Sequence, residues 1–153
     1  MNLTQLIEQM PKVELHVHLE GAVQPATLLH LARKNGITLP VTTEAEVRQW
    51  YTFTDFAHFI EIYLVISKCI ATPDDLEYVA REFLRGQAAQ NILYSEVIFT
   101  PYTHYMQKGM SFRDQLSAIQ RAIAWARREL AVTMAMVPDI DRQPTPAEGA
   151  PVA

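Results

Sequence analysis

Pro11-Lys12-Val13-Glu14-Leu15-His16-Val17-His18-Leu19-Glu20-Gly21 is the stretch from which the architecture can be read. Val13, Leu15, Val17 and Leu19 share one parity, and Glu14, His16, His18 and Glu20 share the other. A strand places successive side chains on opposite faces, so this run predicts a strand over Val13–Leu19 with one apolar and one ionisable face. Side chains at i and i+2 converge, and two imidazoles that converge can share a divalent ion; zinc is a common partner of such nitrogens. Gly21 follows at once and lets the chain turn away and approach a ligand closely. His16 and His18 are therefore the candidate metal ligands.

Outward from this strand the pattern alternates. Asn2 to Met10 reads as a short helix, and Pro25 to Asn35 as another, with proline in its first turn and Asn35-Gly36 as its stop. Thr43 to Gln49 is predicted helical with Thr43 as cap. Phe53 to Ala71 carries Phe56, Phe59, Ile60, Tyr63 and Leu64 at helical spacing. Thr72-Pro73-Asp74-Asp75 is a helix start, with a capping threonine and acids in the first turn, and that helix runs to about Gln90. Ile92 to Phe99 is a second strand. Ser111 to Leu130 is a long helix whose Ser111 and Asp114 fit a capping-box spacing. Ala131 to Val137 is a third strand. Strands separated by helices indicate an α/β fold with a parallel sheet.

Two motifs carry a resemblance. PKVELHVHLEGA at 11–22, followed by PATLLHLARKNG at 25–36, resembles the amino-terminal signature of the adenosine deaminase family of metal-dependent hydrolases. Tyr94-Ser95-Glu96-Val97-Ile98-Phe99-Thr100-Pro101 is similar to that family's second-strand motif, Tyr-x-Glu-x-Arg with a following proline, except that Ile98 stands at the arginine position. The resemblance implies a (β/α)8 barrel, and such barrels take about 250 residues, rarely under about 200. With 153 residues, the chain is expected to form an amino-terminal part of that barrel: about three parallel strands with flanking helices over 1–142. A disordered tail, rich in proline, alanine and glycine, is expected over 143–153.

What the resemblance implies for chemistry is zinc-dependent hydrolytic deamination of an adenosine-type purine. One zinc ion would be held in part by His16 and His18, with His18 and Glu20 meeting the substrate. Nucleoside-specific members often carry aspartate at the Glu20 position, which leaves adenosine, adenine and modified nucleosides open as substrates. The family's proton-shuttling glutamate, in a His-Ala-Gly-Glu-like motif, is not found in the sequence. The isolated chain is therefore expected to be inactive, with its metal site incomplete. Two other readings stand beside this one: a different amine- or amide-hydrolysing member of the superfamily, and a non-catalytic half-barrel. The latter's exposed strand edge would favour self-association or a complementing fragment.

The remaining features narrow the partners. Net charge is -4, which argues against nucleic acid or an anionic membrane. Ile60 to Ala71 is the longest apolar run, interrupted by Glu61, Ser67 and Lys68, and too short to span a bilayer. Cys69 is the single cysteine and the start lacks signal-peptide character, so a cytoplasmic setting is expected. His30 is expected to be structural and His104 a solvated loop residue. His58, with Phe56 and Phe59, is expected beside a substrate entrance. Glu14 is expected to hydrogen-bond locally, and Glu96 to need a cationic or donor partner inside a barrel.

Overall fold

Proline and capping signals start most of the helices. The structure, a computed structural model, describes residues 2–139. Asn2 caps helix α1 (Leu3–Gln9) in a capping box with Gln5. Strand β1 (Lys12–His18) leads into a 3-10 turn at Glu20–Ala22. Helix α2 (Pro25–Lys34) opens on its proline. Helix α3 (Glu44–Trp50) is capped by Thr43 with Glu46 reciprocating. Helix α4 (Phe56–Cys69) starts three residues later than its spacing suggests, because the Asp55 carboxylate accepts the His58 backbone N–H and fixes the cap there. Helix α5 (Pro73–Ala89) has the predicted Thr72 cap, and its box is closed by Asp75.

Strand β2 (Ile92–Phe99) is followed directly by helix α6 (Pro101–Lys108), where a loop is expected from the sequence. Its signals were present: Pro101 sits in the first turn, and Gly109 closes the helix at φ 64° in the left-handed region. Helix α7 (Phe112–Glu129) and strand β3 (Thr133–Pro138) complete the order. Ser111 caps α7 as expected, although Asp114 answers to the Ser111 hydroxyl rather than to its backbone N–H.

The three strands are parallel in the order β1-β2-β3, with β2 central. Leu28 and Leu31 of α2, Leu84 of α5 and Ile119 of α7 are buried in one core with Val97 and Met134 of the sheet. The opposite sheet face is bare among the described residues: Val13 is 65% and Leu15 58% exposed. Parallel sheets are normally covered on both faces, so this geometry is that of a barrel wall rather than of a closed layer.

Strand β1 corrects the strict alternation expected of it. Between the pairs Glu14–Ser95 and Val17–Val97, the two residues Leu15 and His16 oppose the single residue Glu96, and His16 has φ 63°. This extra residue is a β-bulge, which re-aims the side chains that follow. Val13 and Leu15 stay on the bare face. Val17 and Leu19 turn into the core with Glu14 on the helix side, where Glu14 accepts from Gln87 of α5 at 2.8 Å. Glu14 is thus tied across 73 residues and not locally. Gln87 accepts in turn from buried Ser95 at 3.1 Å, so a polar link pins α5 to both strands.

Glu96 lies exposed on the bare face and accepts from Tyr94 at 3.4 Å. Solvent meets the demand that a closed interior would have placed on a cation. No single described helix is long and apolar enough to cross a membrane. The expected tail over 143–153, and the last residues of the expected domain, 140–142, lie outside the described residues.

Candidate active site

A cavity of about 570 Å3 opens at the carboxyl-terminal end of the sheet, the end at which parallel α/β folds bind ligands. His16, His18, Gly21, Phe59, Ile60, Tyr63, Thr100 and Asp139 lie in its wall. The two histidines come from the end of β1, Phe59 to Tyr63 from α4, Thr100 from the end of β2 and Asp139 from the end of β3.

The His16 and His18 rings stand 5.7 Å apart between centroids, edge to face at 68°, and both are exposed to the cavity. His16 reaches this place through the bulge. A non-glycine residue at positive φ costs about 1–3 kcal/mol, and such strain gathers where a side chain must be aimed. Two imidazoles on one wall suit a borderline-soft ion such as zinc. Among the described residues, no group of three or more His, Cys, Asp or Glu side chains could hold a metal ion. The pair thus fits as part of a donor set and does not complete one.

Glu20 takes a position set by a contact distant in sequence. It is fully buried in the 3-10 turn and does not line the cavity. Its Oε1 lies 3.0 Å from Nε2 of His104, which is also fully buried. His104 is therefore no solvated loop residue: it sits on α6 with its ring stacked on Phe99 at 5.3 Å.

Tyr63 was legible only as an apolar helix position. Its hydroxyl is buried beside the Glu20 carboxylate and Thr100, without closing a hydrogen bond of ordinary geometry. Burial, and next the Glu20 charge, push the Tyr63 phenol above its usual range, so the hydroxyl keeps its proton. The Asp139 backbone N–H donates to the Phe99 carbonyl at 2.9 Å, which ties the end of β3 to β2.

The other histidines play the parts their surroundings give them. His58 accepts from the Thr54 backbone N–H at 3.3 Å within the α4 start, and Phe59 but not Phe56 reaches the cavity wall. Phe56 is 76% exposed. His30 is exposed on α2 and its ring packs on Tyr78 at 4.9 Å.

The architecture, the paired histidines at the end of the first strand and the site at the strand ends converge with comparison to known proteins. The family model described as adenosine deaminase matches residues 11–150. The chain belongs to the adenosine deaminase family. It is 35% identical over 147 residues to an adenine deaminase from Wolinella succinogenes, a match covering 96% of this chain and 44% of that relative. Among solved structures it is similar to an adenine deaminase from Arthrobacter aurescens, with TM-score 0.75, 29% identity, and coverage of 84% of this chain and 39% of the other. An amidohydrolase from Burkholderia ambifaria, solved with bound zinc, superposes with TM-score 0.81 at 28% identity, over 97% of this chain and 41% of its own. The chain thus spans about two fifths of the length of the relatives it matches, and its three strands correspond to the amino-terminal part of their barrel.

Proposed function

We propose that this chain forms the first strands of a barrel that hydrolytically deaminates a purine base of the adenine type, with zinc as its metal. The observation that carries the reading is the pair His16 and His18, brought together by a strained bulge on the wall of a cavity at the strand ends. Its volume of about 570 Å3 is ample for a purine, since small-molecule sites run from about 300 to about 1,000 Å3. Support for adenine over adenosine comes from the adenine deaminases among the relatives, and from glutamate at position 20, where nucleoside-specific members often carry aspartate.

His16 and His18 would hold the metal from one side. When bound, zinc supplies a Lewis acid that lets water attack at neutral pH. The apolar flank formed by Phe59 and Ile60 takes the faces of a flat heterocycle and keeps bulk water off it. Thr100 provides polar atoms to orient its edge. Replacing the exocyclic amine by oxygen releases ammonia and needs a proton shuttle, which no residue of this chain is assigned. By this reading, the chain alone does not turn over purine.

A graft tests the proposal. Residues 1–139 would replace the corresponding segment of the Wolinella succinogenes adenine deaminase, and ammonia release would be followed from adenine and adenosine. Zinc-dependent turnover with the higher kcat/KM for adenine is expected. A folded, zinc-loaded graft that prefers adenosine, or that acts on neither, would overturn the reading.

A further inference from the structure

The bulge in β1 has a counterpart in β2. Between the pairs Lys12–Ile92 and Val13–Tyr94, Leu93 has no partner on β1. Between Glu14–Ser95 and Val17–Val97 the extra residue is on β1 instead. The two irregularities cancel, because Lys12 to Val17 and Ile92 to Val97 are equal lengths of chain. Val13 and Glu14 therefore sit one residue out of a register that the strands keep on either side. Uninterrupted pairing from Lys12–Ile92 to His18–Ile98 would set Leu15 opposite Ser95 and His16 opposite Glu96. Val13 and Leu15 would then share the core face with Val17, and His16 would need no positive φ. Such a slip would bury two side chains that are now 65% and 58% exposed. Apolar burial and relief of backbone strain both favour it. Something specific holds the strand against them.

Gln87 of α5 is placed to do so. It is 5% exposed, donates to Glu14 Oε2 at 2.8 Å and accepts from the fully buried Ser95 hydroxyl at 3.1 Å. Glu14 and Ser95 are cross-strand partners in the observed register. In the uninterrupted register Leu15 would take the place of Glu14 and leave a buried amide donor unmet, which is costly. We propose that Gln87 is a positioning residue for the metal-holding pair: by bonding Glu14 and Ser95 together, it keeps β1 out of its uninterrupted register and forces the bulge that aims His16. His18 keeps Ile98 as its partner in either register, so His16 is the histidine that is re-aimed. The metal half of this inference rests on the reading of His16 and His18 as zinc donors. The register half does not.

The test compares the 153-residue chain with Gln87→Met, which keeps the length of the side chain and removes its donor and acceptor. By nuclear magnetic resonance, cross-strand contacts of Glu14 with Ser95 are expected in the parent, and contacts of Leu15 with Ser95 and His16 with Glu96 in the variant. Leu15→Ala is expected to lower the melting temperature by about 2 °C or less in the parent, and by about 5 °C or more in Gln87→Met, where that side chain enters the core. Equal losses in the two backgrounds would mean that the strand had not moved. Zinc affinity is expected to fall about tenfold in Gln87→Met, the scale on which loss of a ligand's support is felt. Retention of the Glu14–Ser95 pairing in Gln87→Met would overturn the inference. A changed register with undiminished zinc affinity would overturn the positioning role. Failure of the parent to bind zinc would remove the zinc reading and the positioning role with it, while the contacts still decide the register. Should Gln87→Met not fold, Glu14→Ala removes the other end of the link and decides in its place, with the same change of register expected.

Discussion

Turnover of adenine is expected to fall to background when His16→Ala and His18→Ala are introduced together into the grafted enzyme, with its melting temperature little changed. The rings are exposed to the cavity, and among the described residues neither makes a hydrogen bond that holds the core. Their loss removes donors to the metal and leaves the helices and sheet as they are. Alanine at position 16 still has to adopt φ 63°, so any change in stability arises from the bulge and stays within about 1–2 kcal/mol. Adding excess zinc should restore nothing if both donors come from this strand. Ammonia release at near-normal rate in the double variant would place the metal elsewhere.

The second large effect is on stability. Asp75 is fully buried, and one carboxylate collects four donors: Lys34 Nζ at 2.6 Å, Asn35 Nδ2 at 2.9 Å, and the Ala71 and Thr72 backbone N–H groups at 3.0 Å each. It joins the end of α2 to the turn between α4 and α5 while closing the α5 cap. Asp75→Ala leaves buried donors unmet and removes half of a capping box, so a loss of about 3 kcal/mol is expected in urea unfolding at pH 7. Burial by itself raises the Asp75 carboxyl, but the donors from Lys34, Asn35, Ala71 and Thr72 outweigh it and hold the group below its usual range. A carboxyl depressed on folding adds stability above its unfolded value, about 3.9, and loses it as pH falls through the lower folded value. The difference between the parent chain and Asp75→Ala should therefore shrink below about pH 4. An equal difference at pH 7 and pH 3 would contradict this account.

Local signals were legible because they act within one turn. Thr72 with Asp75, Thr43 before its helix and Pro25 with Asn35-Gly36 each set an element boundary through neighbours three or four residues away. The paired histidines were legible for the same reason. What escaped depended on distance or on backbone strain. The partnership of Glu20 with His104 spans 84 residues and has no pattern along the chain. It makes His104, expected as a solvated loop residue, one half of a buried pair. The bulge at His16 carries no glycine to announce it, so period two was read through a strand that breaks it. Helix α6 has local signals in Pro101 and Gly109, but Thr100-Pro101 also closes the strand motif, which masks the helix start.

Zinc binding to the 153-residue chain itself tests the central claim most directly. Calorimetric titration should show one ion per chain, held weakly because two protein donors are fewer than the three of a catalytic site, and no binding in His16→Ala, His18→Ala. Undiminished zinc binding by the double variant, or none by the parent chain, would contradict the assignment of the strand-end histidines as the metal-holding pair.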